Sequence, residues 1–206
     1  MQPMILKYGD EGFDANWLSL LSNDPVHPTI APQQRINGGR TVLAYVKSNV
    51  PQCFISVKIS RLLPHNTTDI LSDEETVMDL LDKSHLCAVF YSIFRLKDAS
   101  KGSGVEAIHA AIDYCRALGF RYFYTLSPIP KLREDLAGEG LPIKESRIWQ
   151  YLYEWKGPVA RFHLSNGAKI HSINFAADNS PLRERESWGI MVNYDYCDTK
   201  ALILEI

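Results

Sequence analysis

With 206 residues the chain can bury a full core without disulfides or a structural metal, and it suits one domain. Apolar residues at 46% and charged residues at 22% are a globular balance, and a formal charge of -2 with no basic run argues against nucleic acid as a partner. No run of 18 apolar residues is present to cross a membrane, and the opening MQPMILKYGDEGFD lacks the basic and apolar stretches of a signal peptide, so the cytoplasm is the expected compartment.

In chain order, residues 1–40 are rich in Pro, Gly and Asn and poor in periodicity. They read as an irregular segment packed on a domain spanning 41–206, with a short helix over Asn16 to Leu21. TVLAYV and CFISVKI flank the turn-rich KSNVPQ and predict an antiparallel hairpin. DEETVMDLLDK predicts a helix with Val77, Leu80 and Leu81 on one face and Ser72 as N-cap. LCAVFYSI, a continuous apolar run, predicts a central strand. Val105, Ile108, Ile112, Cys115 and Leu118 follow helical spacing and end at Gly119, a natural C-cap. FRYFYTL predicts a strand and KESRIWQYLYEW a helix. ARFHL, AKIHSINFA, WGIMVNY and ALILEI read as short β pieces. Four scattered cysteines form no C-x-x-C pair, and no clustered Cys/His spacing suggests a metal.

Lys101-Gly102-Ser103-Gly104 lies between a strand and the helix expected to open near Val105. Glycines let a ligand approach the backbone closely, and free N–H groups at a helix start favour an anion. The helix dipole contributes only about 0.3–1 kcal/mol, so several charge-assisted hydrogen bonds must do most of the holding. Neither the G-x-x-x-x-G-K-[ST] pattern nor a dinucleotide fingerprint is present. A flexible loop before a capped helix fits the same residues.

Two segments add a resemblance: FYTLSPIP at 123–130 and ARFHLSNGAKIHSINFAADNSPLRERESWGIMVNYDY at 160–196. Together they resemble the malonyl-CoA decarboxylase family, whose catalytic half has a GNAT (N-acetyltransferase-like) fold. FYSI at 90–93 with the 101–104 loop resembles that family's strand and CoA-binding turn, while Val26-His27-Pro28 and CFISVKISRLLP at 53–64 fit more loosely. The resemblance implies an acyl-CoA-binding α/β (α+β) fold with a mixed central sheet flanked by helices. It implies catalytic roles for Ser127 of Ser-Pro-Ile-Pro, His163 of Phe-His-Leu, Tyr196 of Asn-Tyr-x-Tyr, and Ser92. It implies that Lys101, Gly102, Ser103, Gly104 and Val105 hold CoA. The family's separate N-terminal helical domain has no room in 206 residues, which suggests a short stand-alone version. Ser56 stands where the family has an acidic or imidazole side chain, and Phe94 replaces a serine. Lys97-Asp98-Ala99 replaces a turn containing Gln and Gly, and the connection from Ser-Pro-Ile-Pro to Phe-His-Leu is shorter.

The expected chemistry is decarboxylation of malonyl-CoA or a related malonyl-type thioester, on free CoA or on a carrier protein's phosphopantetheine. The thioester carbonyl accepts the electrons as CO2 departs, so no metal or further cofactor is required. Ser127 would orient the carboxylate and His163 would protonate the carbanion. The same residues also have plain readings: Ser127 as an exposed strand-ending cap before proline, His163 as a half-buried strand histidine, Tyr196 as packing. An acyl-CoA-dependent acyltransferase and an inactive acyl-CoA-binding domain are the competing functions. The oligomeric state is not readable from the sequence.

Overall fold

The computed structural model describes residues 3–25, 27, 28, 30–73, 82–138, 143–154 and 157–199. In chain order the strands and α-helices are β1 (Met4–Lys7), β2 (Arg40–Lys47), β3 (Val50–Ser60), α1 (Thr67–Leu71), β4 (Cys87–Arg95), α2 (Ser103–Ala117) and β5 (Tyr122–Thr125). There follow β6 (Ser127–Pro128), α3 (Leu132–Asp135), α4 (Glu145–Tyr153), α5 (Pro158–Ser165), β7 (Lys169–Asn174), α6 (Pro181–Ser187) and β8 (Met191–Asp195). The described residues fall into two units. One holds those up to Leu63 and from Leu71 to Phe123, the other Pro64–Ile70 and Tyr124–Thr199.

In the first unit, β1, β2, β3 and β4 pair antiparallel in that order. The β2–β3 hairpin is tighter than its sequence suggests: β3 begins at Val50, and Ser48-Asn49 alone make the turn, with φ of 49° and 62°. Positive φ at both central residues is the two-residue hairpin geometry whose twist matches its strands. The expected short helix near Asn16 is a 3-10 helix, Ala15–Asn23, capped by the Asp14 carboxylate on the Asn16 N–H. It delivers Leu18 and Leu21 to a core with Val42, Ala44, Val46 and Phe54. Helix α2 buries Ile108, Ile112 and Cys115 of the predicted stripe together with Ala107 and Ala111, while Val105 and Leu118 at its two ends are exposed, and Gly119 follows it at φ 98°. The predicted helix with Val77, Leu80 and Leu81 lies outside the described residues, as does ALILEI.

In the second unit β8 is the organising strand. It pairs antiparallel with β5 through Tyr124 and Asp195, with β6 through Ser127 and Val192, and along its length with β7. Helix α4 buries Ile148, Tyr151 and Leu152. The segment ARFHL corrects the sequence reading: it is not a strand but part of helix α5, which buries Ala160 and His163. Pro158 at the helix start, after Gly157 at φ 83°, sets the helix, and eight residues are too few for periodicity to separate helix from strand.

Candidate active site

Ser127, His163 and Tyr196 meet in the second unit. Pro128 and the β6–β8 pairing fix the backbone at Ser127. His163 occupies the last turn of α5 and is only 4% exposed, while Tyr196 is fully buried just past the end of β8. Ser127 Oγ lies 3.0 Å from His163 Nε2, and His163 Nδ1 lies 2.8 Å from the Tyr196 hydroxyl. Both imidazole nitrogens are therefore engaged. Tyr194, two residues before Tyr196 on the same side of the strand, stacks on the imidazole at 4.5 Å between ring centres. Ser127 is not an exposed hydroxyl: it is 6% exposed, and its Oγ also lies 3.0 Å from Thr125 Oγ1.

Burial decides the charges here. It pulls the His163 imidazole down to about 3, so the ring is neutral at pH 7 and carries one proton shared between two possible positions. It pushes the Tyr196 and Tyr194 phenols well above their ordinary value, so both stay protonated. The site is thus an uncharged relay of hydroxyl, imidazole and phenol. Such a relay can orient an anionic group at Ser127 and move a proton through His163.

The opposite side of β8 braces it. Asn193 Nδ2 donates to the Thr125 carbonyl at 2.8 Å and to the Pro64 carbonyl at 3.1 Å, while its Oδ1 accepts from Asn174 Nδ2 and Ser172 Oγ. Thr125, Asn193 and Tyr194 lie within the segments that carry the resemblance but take no role from it. The alternation of a strand was the available signal: Thr125 shares a face with Ser127, and Tyr194 with Tyr196.

Ser92 sits in the first unit, in a different constellation. Its hydroxyl donates to Asp24 at 2.6 Å, and Asp24 pairs with Arg35 at 2.8 Å, both side chains fully buried. Arg35 also donates to Ser56 Oγ at 3.0 Å and to the His27 carbonyl at 2.9 Å. His27 Nε2 lies 2.7 Å from the Tyr91 carbonyl. Ser56 and Ser92 face each other across β3 and β4. A buried ion pair thus adjoins the position where the resemblance expects an acidic or imidazole side chain.

The Lys101–Val105 turn is also in the first unit. Helix α2 starts at Ser103, two residues before the expected start, with Gly102 at φ 86° as its N-cap and no side-chain cap. The Ser103 N–H bonds to the Ser100 carbonyl and the Val105 N–H to the Gly102 carbonyl, so part of the donor set is used locally. Ser103 Oγ is buried with no hydrogen-bond partner. Glu106 in the first turn would repel an anion, but Lys47 at 2.5 Å and Tyr45 at 2.9 Å engage its carboxylate and hold it below its ordinary value. Among the described residues, no three His, Cys, Asp or Glu side chains form a metal cluster, and no helix is long and apolar enough to cross a membrane.

Residues 153–202 match the family model of the malonyl-CoA decarboxylase C-terminal domain. The mitochondrial malonyl-CoA decarboxylase of Anser anser anser is 44% identical over 61 residues, 27% of this chain and 12% of that protein. The malonyl-CoA decarboxylase structure from Agrobacterium vitis superposes with a TM-score of 0.73 at 24% identity, covering 94% of this chain and 60% of that one. The structure of GphF, a GNAT-like decarboxylase in complex with isobutyryl-CoA, superposes with a TM-score of 0.57 at 13% identity, covering 93% and 97%. The chain therefore spans about 60% of the length of the solved malonyl-CoA decarboxylase it matches. The fold is GNAT-like and of the mixed α/β class expected, and the chain is similar to the malonyl-CoA decarboxylases, in sequence to their C-terminal domain over residues 153–202.

Proposed function

We propose that the chain is a carboxy-lyase that decarboxylates malonyl-CoA or a closely related malonyl-type thioester, with Ser127, His163 and Tyr196 as its reacting group. The observation that carries this reading is the continuous hydrogen-bonded line from Ser127 Oγ through both imidazole nitrogens to the Tyr196 hydroxyl. The Ser127 hydroxyl orients the substrate carboxylate across the plane of the thioester. The bond between that carboxylate and Cα breaks, CO2 leaves, and the electron pair passes into the thioester carbonyl as an enolate. His163 Nε2–H then protonates Cα, and Nδ1 takes up a proton from Tyr196, which solvent replaces. A neutral imidazole suffices as donor, because an enolate carbon is a far stronger base than the imidazole anion it leaves. General acid catalysis of this kind contributes about 10²–10⁴-fold.

For the nucleotide end of the thioester, the proposed cradle for the pyrophosphate is the turn Lys101–Val105, supported by its glycines, its uncapped helix start and the unpartnered Ser103 hydroxyl. Ser92 acts through the buried Asp24–Arg35 pair that it bonds. Both units are read as parts of one catalytic domain. The four free thiols suit a reducing compartment, with the cytoplasm the expected one.

The test is incubation of the purified protein with malonyl-CoA, with and without amines, following CO2 and the mass of the CoA product. Acetyl-CoA formed without an acceptor is the expected result. CoA released only when an amine is present would replace the lyase by an acyltransferase, and binding without turnover of any acyl-CoA would leave a binding domain. A parallel assay on a malonylated carrier protein separates the two thioester carriers.

A further inference from the structure

A cavity of about 320 Å³ opens in the first unit where helix α2 ends. Its floor is one face of the sheet. Lys7 pairs with Leu43 and Thr41 with Val57, so by strand alternation Lys7, Thr41, Leu43, Val57 and Ile59 point to the same side. Leu43 and Val57 are buried, while Thr41 and Ile59 are left partly exposed. Leu86, Cys115, Leu118 and Phe120 form the walls. The volume lies at the small end of the range for ligand sites, about 300–1,000 Å³. None of the lining residues belongs to the Ser127 site or to the 101–105 turn.

The charges sit beside this apolar floor. Lys7 and Lys83 both line the cavity, and neither ammonium meets a carboxylate among the described residues. Lys83 Nζ lies 5.9 Å from the centre of the Phe120 ring, a cation–π contact that keeps its charge at the wall. Asp10 accepts the backbone N–H of Lys7 at 2.8 Å. Arg40, the third cation of the lining, donates to the Gln34 and Ser72 carbonyls and pairs with Asp73. Two uncompensated positive charges next to a hydrocarbon surface match a ligand with an apolar body and one anionic end. A sugar or a base laid on that floor would leave its polar groups without partners, at a cost that an alkyl chain does not meet.

We propose that this cavity binds an aliphatic monocarboxylate of medium chain length, with its chain along Leu43, Val57 and Ile59 and its carboxylate drawn to the Lys7 and Lys83 ammonium groups. The inference is independent of the reading of Ser127 and His163.

The experiment is calorimetric titration of the full chain with butanoate, hexanoate and octanoate, each below its micelle-forming concentration. Saturable one-to-one binding is expected, tightening about 4-fold with each methylene that the floor buries. Lys7→Gln and Lys83→Gln should each weaken octanoate about 2- to 5-fold, an effect that fades at high salt. Octylamine, with the same chain and the opposite charge, should not bind. Leu118→Glu changes an exposed wall residue, places a carboxylate in the cavity mouth and should abolish octanoate binding. Thr41→Trp, which fills the floor, takes its place if that variant does not fold. The inference is overturned by a folded wild type that does not bind octanoate, by octanoate binding no tighter than butanoate, by full affinity in both glutamine variants, or by octylamine binding as well as octanoate. Two further outcomes would replace the ligand by another occupant. A wild-type dimer that light scattering shows to be lost in Leu118→Glu, with no octanoate bound, would assign the face to a second copy of the chain. Octanoate binding gained only on changing Val77, Leu80 and Leu81 to Ser would assign it to the chain's own residues.

Discussion

Ser127 Oγ and His163 Nε2 are 3.0 Å apart although 36 positions separate them in the chain, one residue on a strand of two residues and the other at the end of an eight-residue helix. Neither element is long enough to hold a side chain by itself. Strand β8 places both, through its pairing with Ser127 and through the tyrosine stacked on the imidazole.

Ser127→Ala and His163→Gln should each lower decarboxylation by about 10²-fold or more, and the double variant should cost little beyond the worse single one, because groups that act as a unit are not additive. Steady-state kinetics with malonyl-CoA check this. His163→Gln is preferred to alanine, which would leave a cavity and an unpaired Tyr196 hydroxyl. Two single variants with near-wild-type rates would remove both residues from the mechanism.

Acid should destabilise the fold through His163. Its folded pKa is depressed to about 3 from an ordinary 6.5, so the neutral ring contributes stability that is present above about pH 6.5. Between pH 6.5 and about 3 the unfolded chain binds a proton that the folded chain does not, and stability falls as the pH is lowered through that window. Urea midpoints measured at several pH values should lose one proton's worth of slope there in His163→Gln. An identical slope in the variant would show that other groups govern the acid limb.

At the helix start, Gly104→Asp should weaken CoA binding by adding bulk and negative charge where the pyrophosphate is proposed to lie. Glu106→Gln should do the opposite, modestly and mainly at low salt, because it removes a first-turn carboxylate that Lys47 and Tyr45 offset in part. Calorimetric titration of CoA into folded variants measures both. Unchanged affinity in Gly104→Asp would move the anion site elsewhere.

The Asp24–Arg35 pair should be costly to break and far less costly to replace. Arg35→Met leaves the buried Asp24 carboxylate without its cation, with an expected loss of about 3–5 kcal/mol in unfolding free energy. The double variant Asp24→Leu, Arg35→Met should recover part of that loss. Chemical denaturation of the three proteins gives the coupling directly, and a double variant worse than Arg35→Met alone would contradict the argument.

The reach of the sequence depends on how local the signal is. The hairpin of β2 and β3 and the buried stripe of α2 are legible because alternation and helical spacing repeat within a few residues. ARFHL is not: an eight-residue helix shows barely two turns, and its apolar and basic residues suit a strand equally well. Ser127, His163 and Tyr196 come from motif resemblance and not from any physical pattern, since their partnership is made across distant segments. Asp24 and Arg35 lie in an aperiodic stretch, and an ion pair formed by tertiary contact leaves no trace in spacing. Thr125 was within reach, because a strand that aims Ser127 into a site aims the residue two before it the same way.

Strand β8 sends Tyr194 toward the imidazole and Asn193 toward the brace behind it. A strand repeats every two residues, so inserting or deleting one residue between Met191 and Tyr196 would exchange the two sides at a stroke. The stacked ring and the amide would trade places, and no partial displacement lies between. Point substitutions can adjust this site by degrees, but a change of length there acts as an on-off event. Related chains should therefore tolerate length variation in the loops that lead into β8 and none within it.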